Sequence, residues 1–123
     1  MRLLLLLVSF VLVSACGGGR LYLEPEPGRG DAARGKELAV LHECYDCHII
    51  PGIDRKPGPG VPSSLAGLAR RDRIVAKQVE NTRDNLETYL QYPKKVAPRS
   101  LMPGLGDRPE AARDIAAYLV TLD

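Results

Sequence analysis

Cys44-Tyr45-Asp46-Cys47-His48 is the stretch on which the reading of this chain turns. Two thiols separated by two residues are followed at once by an imidazole, the spacing of a c-type haem attachment site. On a helical turn, Cys44 and Cys47 project to one side, where each sulfur can add to a vinyl group, while His48 reaches the iron. Three neighbouring side chains thereby fix one covalent haem.

A structural zinc half-site, a dithiol redox pair and a plain disulfide would use the same thiols. Zinc wants four ligands, and beyond this motif the sequence offers only His42 and Cys16. A redox dithiol needs a strand to present it and a helix behind it, and no β-α-β pattern surrounds Cys44. These three readings are the weaker ones.

A haem iron in an electron carrier commonly keeps a second axial ligand, and a thioether there favours the ferrous state. Apart from Met1, Met102 is the only methionine. It lies in Pro98-Arg99-Ser100-Leu101-Met102-Pro103-Gly104, a loop whose prolines fix a non-repetitive path. The alternative role for Met102 is an apolar gap-filler. His42 competes for the iron on chemistry alone. It sits two residues before Cys44 on the same expected helix, which disfavours its reaching the opposite face of the ring, so an exposed helix position suits it better.

Working outward, Asp31 to Cys44 has no internal proline and carries Leu38, Val40 and Leu41, which predicts a helix running into the motif. Gly35 inside it costs about 1 kcal/mol against alanine, which points to close approach by another helix or to a frayed first turn. After His48, Ile49-Ile50-Pro51-Gly52 turns the chain away. Arg70 to Val79 is expected to add a short helix. Asn81-Thr82-Arg83-Asp84 caps a helix bearing Leu86, Tyr89 and Leu90 that stops at Pro93. Asp107-Arg108-Pro109-Glu110 opens a terminal helix with Ala111, Ile115, Tyr118, Leu119 and Leu122 at helical spacing.

Ahead of these elements, Met1-Arg2 and the apolar run Leu3 to Val13 have the form of a signal peptide, too short to span a bilayer. Val13-Ser14-Ala15-Cys16 resembles a bacterial lipobox, in which Cys16 receives lipid and becomes the mature N-terminus. Ordinary cleavage near Ala15, or an uncleaved membrane stub, is the alternative. Each buried methylene of an acyl chain adds roughly 0.8 kcal/mol, so a multiply acylated cysteine tethers a soluble domain without a transmembrane helix. Gly17-Gly18-Gly19 and Glu24-Pro25-Glu26-Pro27-Gly28 then read as a spacer. From Gly17 to Gly30 the chain reaches about 45 Å if extended at roughly 3.3 Å per residue. The expected organisation is a signal peptide over 1–15, a lipid-anchored flexible linker over 16–30 and one domain over 31–123.

Of the 17 basic residues only Arg2 precedes Cys16, so the processed chain carries 16 against 15 acidic residues and shows no nucleic-acid footprint. The 123 residues include no Trp, one Phe that falls in the leader, and five Tyr. A domain this small and this poor in large aromatics gains from a flat apolar cofactor in its core.

With these parts in order the chain resembles class I cytochrome c, and more closely the small lipoprotein cytochromes associated with bacterial haem-copper oxidases. The resemblance covers about residues 31 to 123. It rests on Cys44-x-x-Cys47-His48, Leu65-Ala66-Gly67-Leu68-Ala69-Arg70-Arg71, Leu86-x-x-Tyr89-Leu90 before Pro93, Met102-Pro103, and Asp114-Ile115-Ala116-Ala117-Tyr118-Leu119. It implies an all-α fold of several short helices around one covalent haem. The first and last helices cross with Gly35 near Tyr118, and the haem lies between His48 and Met102. The family also places a proline two residues before the leucine of the Leu-x-Gly step, so that its carbonyl takes the proton of the axial imidazole. This chain has Ser63 there, which leaves Pro62, Pro59 or neither as acceptor, Pro62 being the choice made. Tyr89 stands where the family often has a tryptophan bonded to a haem propionate, and either that role or a core tyrosine suits it. Lys94, Lys95 and Arg99 approach Met102 in sequence and frame the haem edge for an acidic partner, or form a solvated loop.

The function this implies is single-electron transfer in a bacterial respiratory chain, on the periplasmic side of a membrane. Its redox partners would be proteins, such as a terminal oxidase or a dehydrogenase, with no small-molecule substrate and no catalytic residues. A haem enzyme or gas-ligand sensor would instead keep the sixth coordination position open. Met102 argues against that alternative.

Overall fold

The computed structural model describes residues 25–60 and 63–123. The leader, Cys16 and Pro62 lie outside the described residues. Among the described residues no helix is long and apolar enough to cross a membrane.

The first helix, α1, spans Ala32–Leu41. Asp31 caps it, its Oδ1 accepting the N–H groups of Ala33 at 2.9 Å and Arg34 at 3.1 Å, which satisfies donors that have no partner within the helix. Glu43 ends the rise by turning left-handed, at φ 53°. The thiol motif therefore stands on a separate 3-10 turn, Cys44–Asp46, and not on a continuation of the helix. His48 likewise leaves the helical path. With Ile49 it forms strand β1 (His48–Ile49), paired in parallel with β2 (Ser63–Ser64).

A second 3-10 turn, Leu68–Arg70, leads to β3 (Arg73–Ile74) and β4 (Val79–Glu80), an antiparallel pair. The short helix expected from Arg70 to Val79 is thus replaced by a hairpin. Val75, Ala76 and Lys77 take φ of 53°, 52° and 65°, which a right-handed helix excludes. The Arg73 guanidinium fixes this turn by donating to the carbonyls of Lys77 at 2.8 Å and Gln78 at 2.9 Å. Asn81 Nδ2 holds the preceding turn, donating to Leu68 O at 2.7 Å and Arg71 O at 2.8 Å. Side-chain capture of these carbonyls depends on the folded turn and is not legible in the sequence.

Helix α2 spans Arg83–Gln91 and is capped by Thr82, whose hydroxyl accepts the Asn85 N–H at 3.2 Å. A four-residue helix, α3 (Pro93–Val96), follows, and α4 spans Pro109–Leu119 with Pro109 at its first position. Asp107, the expected cap of α4, accepts the Tyr92 hydroxyl instead, and Arg108 occupies the cap position. The described chain is mostly helical but carries four two-residue strands, so the all-α expectation holds only for its larger elements.

Helices α1 and α4 pack face to face through small residues. Gly35 and Ala39 are buried on α1, and Ala112 and Ala116 are fully enclosed on α4. A Cβ on Gly35 would lie 1.9 Å from the Asp114 carbonyl oxygen, one turn before Tyr118. That contact makes the helix crossing the cause of the glycine and removes the frayed-turn reading. The Tyr118 hydroxyl donates to Pro51 O at 2.9 Å and pins the chain that leaves β1.

The segment before α1 is docked as well. Arg29 Nε donates to Glu87 Oε1 at 3.0 Å, and its guanidinium also pairs with Asp84 and Glu26. Arg83, only 3% exposed, donates through Nη2 to Arg29 O at 2.7 Å. Gly30 packs against α4, where a Cβ would meet Arg113 O at 2.4 Å. Arg29 and Gly30, expected as the end of the linker, are held against the helices.

Candidate functional site

Two adjoining cavities, of about 460 and 280 Å³, share Cys44, His48, Tyr89, Leu90, Met102 and Ile115 in their walls. The motif and Met102, 54 to 58 residues apart in sequence, are thereby brought to one cleft. The larger cavity is completed by the Ser100–Leu105 loop and by Cys47 and His42. The smaller is apolar, walled by Leu68, Ile74, Leu86 and Leu119 among others. A polar cavity of about 590 Å³ lies elsewhere, lined by four arginines and four carboxylates including Arg73, Asp72 and Glu80. Its balanced charge gives no preference for a ligand, and it contains neither thiol.

Each side chain of the cleft is set by its local backbone. The 3-10 turn is tied to the chain on both sides: Asp46 N–H donates to Glu43 O at 2.9 Å and Gly58 N–H to Asp46 O at 3.0 Å. Cys44 is half-buried and Cys47 exposed. Burial pushes the Cys44 thiol above its ordinary pKa. His48 is half-buried, and burial lowers its pKa against a weaker upward pull from the Ser63 carbonyl. Both effects favour the neutral form of the group, and the neutral imidazole is the form that binds a metal.

The loop that carries Met102 is clamped to the end of α2. Leu105 N–H donates to Leu90 O at 2.9 Å and Gly106 N–H to Gln91 O at 3.1 Å. Gly104 lies flat on the same backbone, where a Cβ would be 2.4 Å from Gln91 O. Ser100 then orients the methionine, its Oγ accepting the Met102 N–H at 3.2 Å while it bonds the Tyr89 hydroxyl at 3.0 Å. Tyr89 therefore lines the cleft with its hydroxyl engaged by protein.

Three features escaped the sequence reading. Ser100 links Tyr89 to Met102, and nothing in its local sequence marks it. His42, read as an exposed helix residue, is half-buried at the end of α1 and borders the larger cavity. Ser63, beside Pro62, is the residue that meets His48: its Oγ lies 2.6 Å and its carbonyl oxygen 3.3 Å from His48 Nδ1. The substitution of serine where the resembled pattern has proline was the available signal.

The chain was compared with known proteins. It is 31% identical over 100 residues to cytochrome c of Cochliobolus lunatus, an alignment covering 74% of this chain and 92% of that protein. The chain belongs to the cytochrome c family. Cytochrome c of Stellaria longipes is 31% identical over 99 residues, covering 73% of this chain and 91% of its own length. Cytochrome c oxidase subunit 2 of Alkalihalophilus pseudofirmus is 26% identical over 98 residues, which are 79% of this chain and 27% of that subunit. The chain thus spans about a quarter of the oxidase subunit's length. No family model matches the chain. Membership of the cytochrome c family supports an electron-carrying role and implies a haem cofactor. The cleft fits such a group by the chemistry of its donors: two thiols, a neutral imidazole and a thioether around an apolar space.

Proposed function

We propose that this protein is a single-electron carrier of a bacterial respiratory chain, with one haem covalently attached at Cys44 and Cys47 and axially ligated by His48 and Met102. The observation that carries the proposal is the convergence of these four side chains on one largely apolar cleft. Bound there, haem iron supplies reversible one-electron chemistry. The residues of the chain do the rest. His48 offers a neutral imidazole whose orientation is fixed by Ser63. Met102 offers a thioether from a loop clamped to α2. Leu68, Leu86, Ile115 and Leu119 exclude water, which keeps the surroundings of the two oxidation states alike. In this reading the fold is of the class I kind.

The same proposal extends to partners and location. Lys94 and Lys95 border, with Leu101 and Met102, a cavity on the outer side of the loop. Leu101 is 98% exposed, so an apolar tip faces outward, with Lys94 and Lys95 lining the same cavity. Such a face suits brief docking to an acidic protein surface, with charge speeding encounter. The likeness to an oxidase subunit supports a terminal oxidase as that partner. The leader and Cys16 support a lipid anchor on the periplasmic side, with the chain over 16–28 as tether.

Covalent attachment is tested by expressing the full chain with haem-attachment machinery and following haem through a denaturing gel. The parent is expected to retain haem stain and to gain the mass of one haem. Cys47→Ala is expected to carry much less haem, because a motif with one thiol is attached poorly, and any haem it does carry is expected to show a red-shifted pyridine haemochrome band, because one vinyl group is left unsaturated. Equal haem content with an unshifted haemochrome band in Cys47→Ala would remove Cys47 from the attachment site.

A further inference from the structure

We propose that the side-chain hydroxyl of Ser63 accepts a hydrogen bond from the Nδ1–H of His48 and thereby tunes the electron affinity of the iron, an inference that rests on His48 being the axial ligand proposed above. With Nε2 on the metal, Nδ1 carries the remaining ring proton and can only donate. Two acceptors face it, Ser63 Oγ at 2.6 Å and Ser63 O at 3.3 Å. The hydroxyl oxygen is the closer of the two by 0.7 Å and the carbonyl contact is a long one, so the hydroxyl is the stronger acceptor. A proline at this position has neither a hydroxyl nor an N–H, and Ser63 uses both.

The backbone places Ser63 without help from its side chain. Ser63 N–H donates to Cys47 O at 3.2 Å and Leu65 N–H to Ile49 O at 2.9 Å, which sets His48 opposite Ser63 in the parallel pair of β1 and β2. Removing the hydroxyl therefore changes the imidazole's partner and not the path of the chain. An acceptor on Nδ1–H raises the basicity of the metal-bound nitrogen and favours the more positive iron.

Ser63→Ala, Ser63→Gly and Ser63→Thr are to be compared in the full-length holoprotein. Two quantities are read: the ferrous-to-ferric ratio at a fixed poise, and the solvent exchange rate of the His48 Nδ1 proton by proton NMR. Ser63→Ala and Ser63→Gly are expected to raise the ratio about threefold, where tenfold corresponds to roughly 59 mV for one electron. They are also expected to speed Nδ1 proton exchange severalfold. Ser63→Thr, which keeps the hydroxyl, is expected to match the parent in both. Ratios and exchange rates unmoved in Ser63→Ala and Ser63→Gly would overturn the inference while leaving His48 ligation intact. A parent without low-spin haem would overturn the ligation itself, and the inference with it.

Discussion

Met102→Ala is expected to keep its haem but to lose the sulfur-to-iron charge-transfer band and to fall in reduction potential by on the order of 100 mV or more, a shift of well over tenfold in the ferrous-to-ferric ratio. The haem is expected to stay because the proposed attachment at Cys44 and Cys47 does not involve this residue. The loop stays because its anchors are elsewhere: the backbone bonds of Leu105 and Gly106 to Leu90 and Gln91, and the flat seat of Gly104. What is lost is a soft ligand that stabilises the ferrous ion. Had Met102 been a gap-filler, the same change would cost some 2–5 kcal/mol of stability and leave spectrum and potential alone. Potentiometric titration with visible spectroscopy separates the two roles.

Gly35→Ala is expected to lower the melting temperature by roughly 15 °C, the equivalent of about 3 kcal/mol in a domain of this size. The direction is the informative part. In an unencumbered helix this substitution stabilises by about 1 kcal/mol. Here the new methyl would lie 1.9 Å from Asp114 O, 2.5 Å from its carbonyl carbon and 3.0 Å from Ile115 N. All three are backbone atoms of α4, so relief requires the two helices to separate. Their contact buries Ala39, Ala112 and Ala116, and Ile115 of the same helix lines both cavities. Gly58→Ala serves as the control, since a Cβ there meets nothing closer than 3.7 Å. A circular-dichroism melt of each full-length holoprotein reads the difference, and equal melting temperatures for Gly35→Ala and the parent would contradict the packing argument.

The sequence carried the larger elements because their signals are local. Thr82 acts as a cap within the stretch that suggested one, Pro109 opens α4, and Gly35 marks the crossing. The motif at Cys44 and the loop at Met102 were legible as chemistry before their convergence was visible. What stayed hidden depends on contacts distant in sequence or on backbone conformations that residue type does not announce. Glu43, Val75, Ala76 and Lys77 adopt left-handed φ without being glycine; Glu43 ends the first helix before Cys44, and the other three exclude the helix expected from Arg70 to Val79. Asp107 was given to the backbone by local reasoning, but Tyr92 claims it across a loop. Ser63 and Ser100 are unremarkable in sequence and become partners of His48 and Met102 only when β2 and the ligand loop are in place. The end of the linker reads as spacer by composition, yet the carboxylates of Asp84 and Glu87 bind Arg29 from α2.

The most direct test of the central claim, His48 and Met102 as the two axial ligands of an electron-carrying haem, is the visible spectrum of the full-length holoprotein, oxidised and reduced, with carbon monoxide added to the reduced sample. Six-coordinate low-spin spectra, the sulfur-to-iron band in the oxidised form and no response to carbon monoxide are the predicted result. A high-spin spectrum that shifts on adding carbon monoxide would show an open iron and contradict the account.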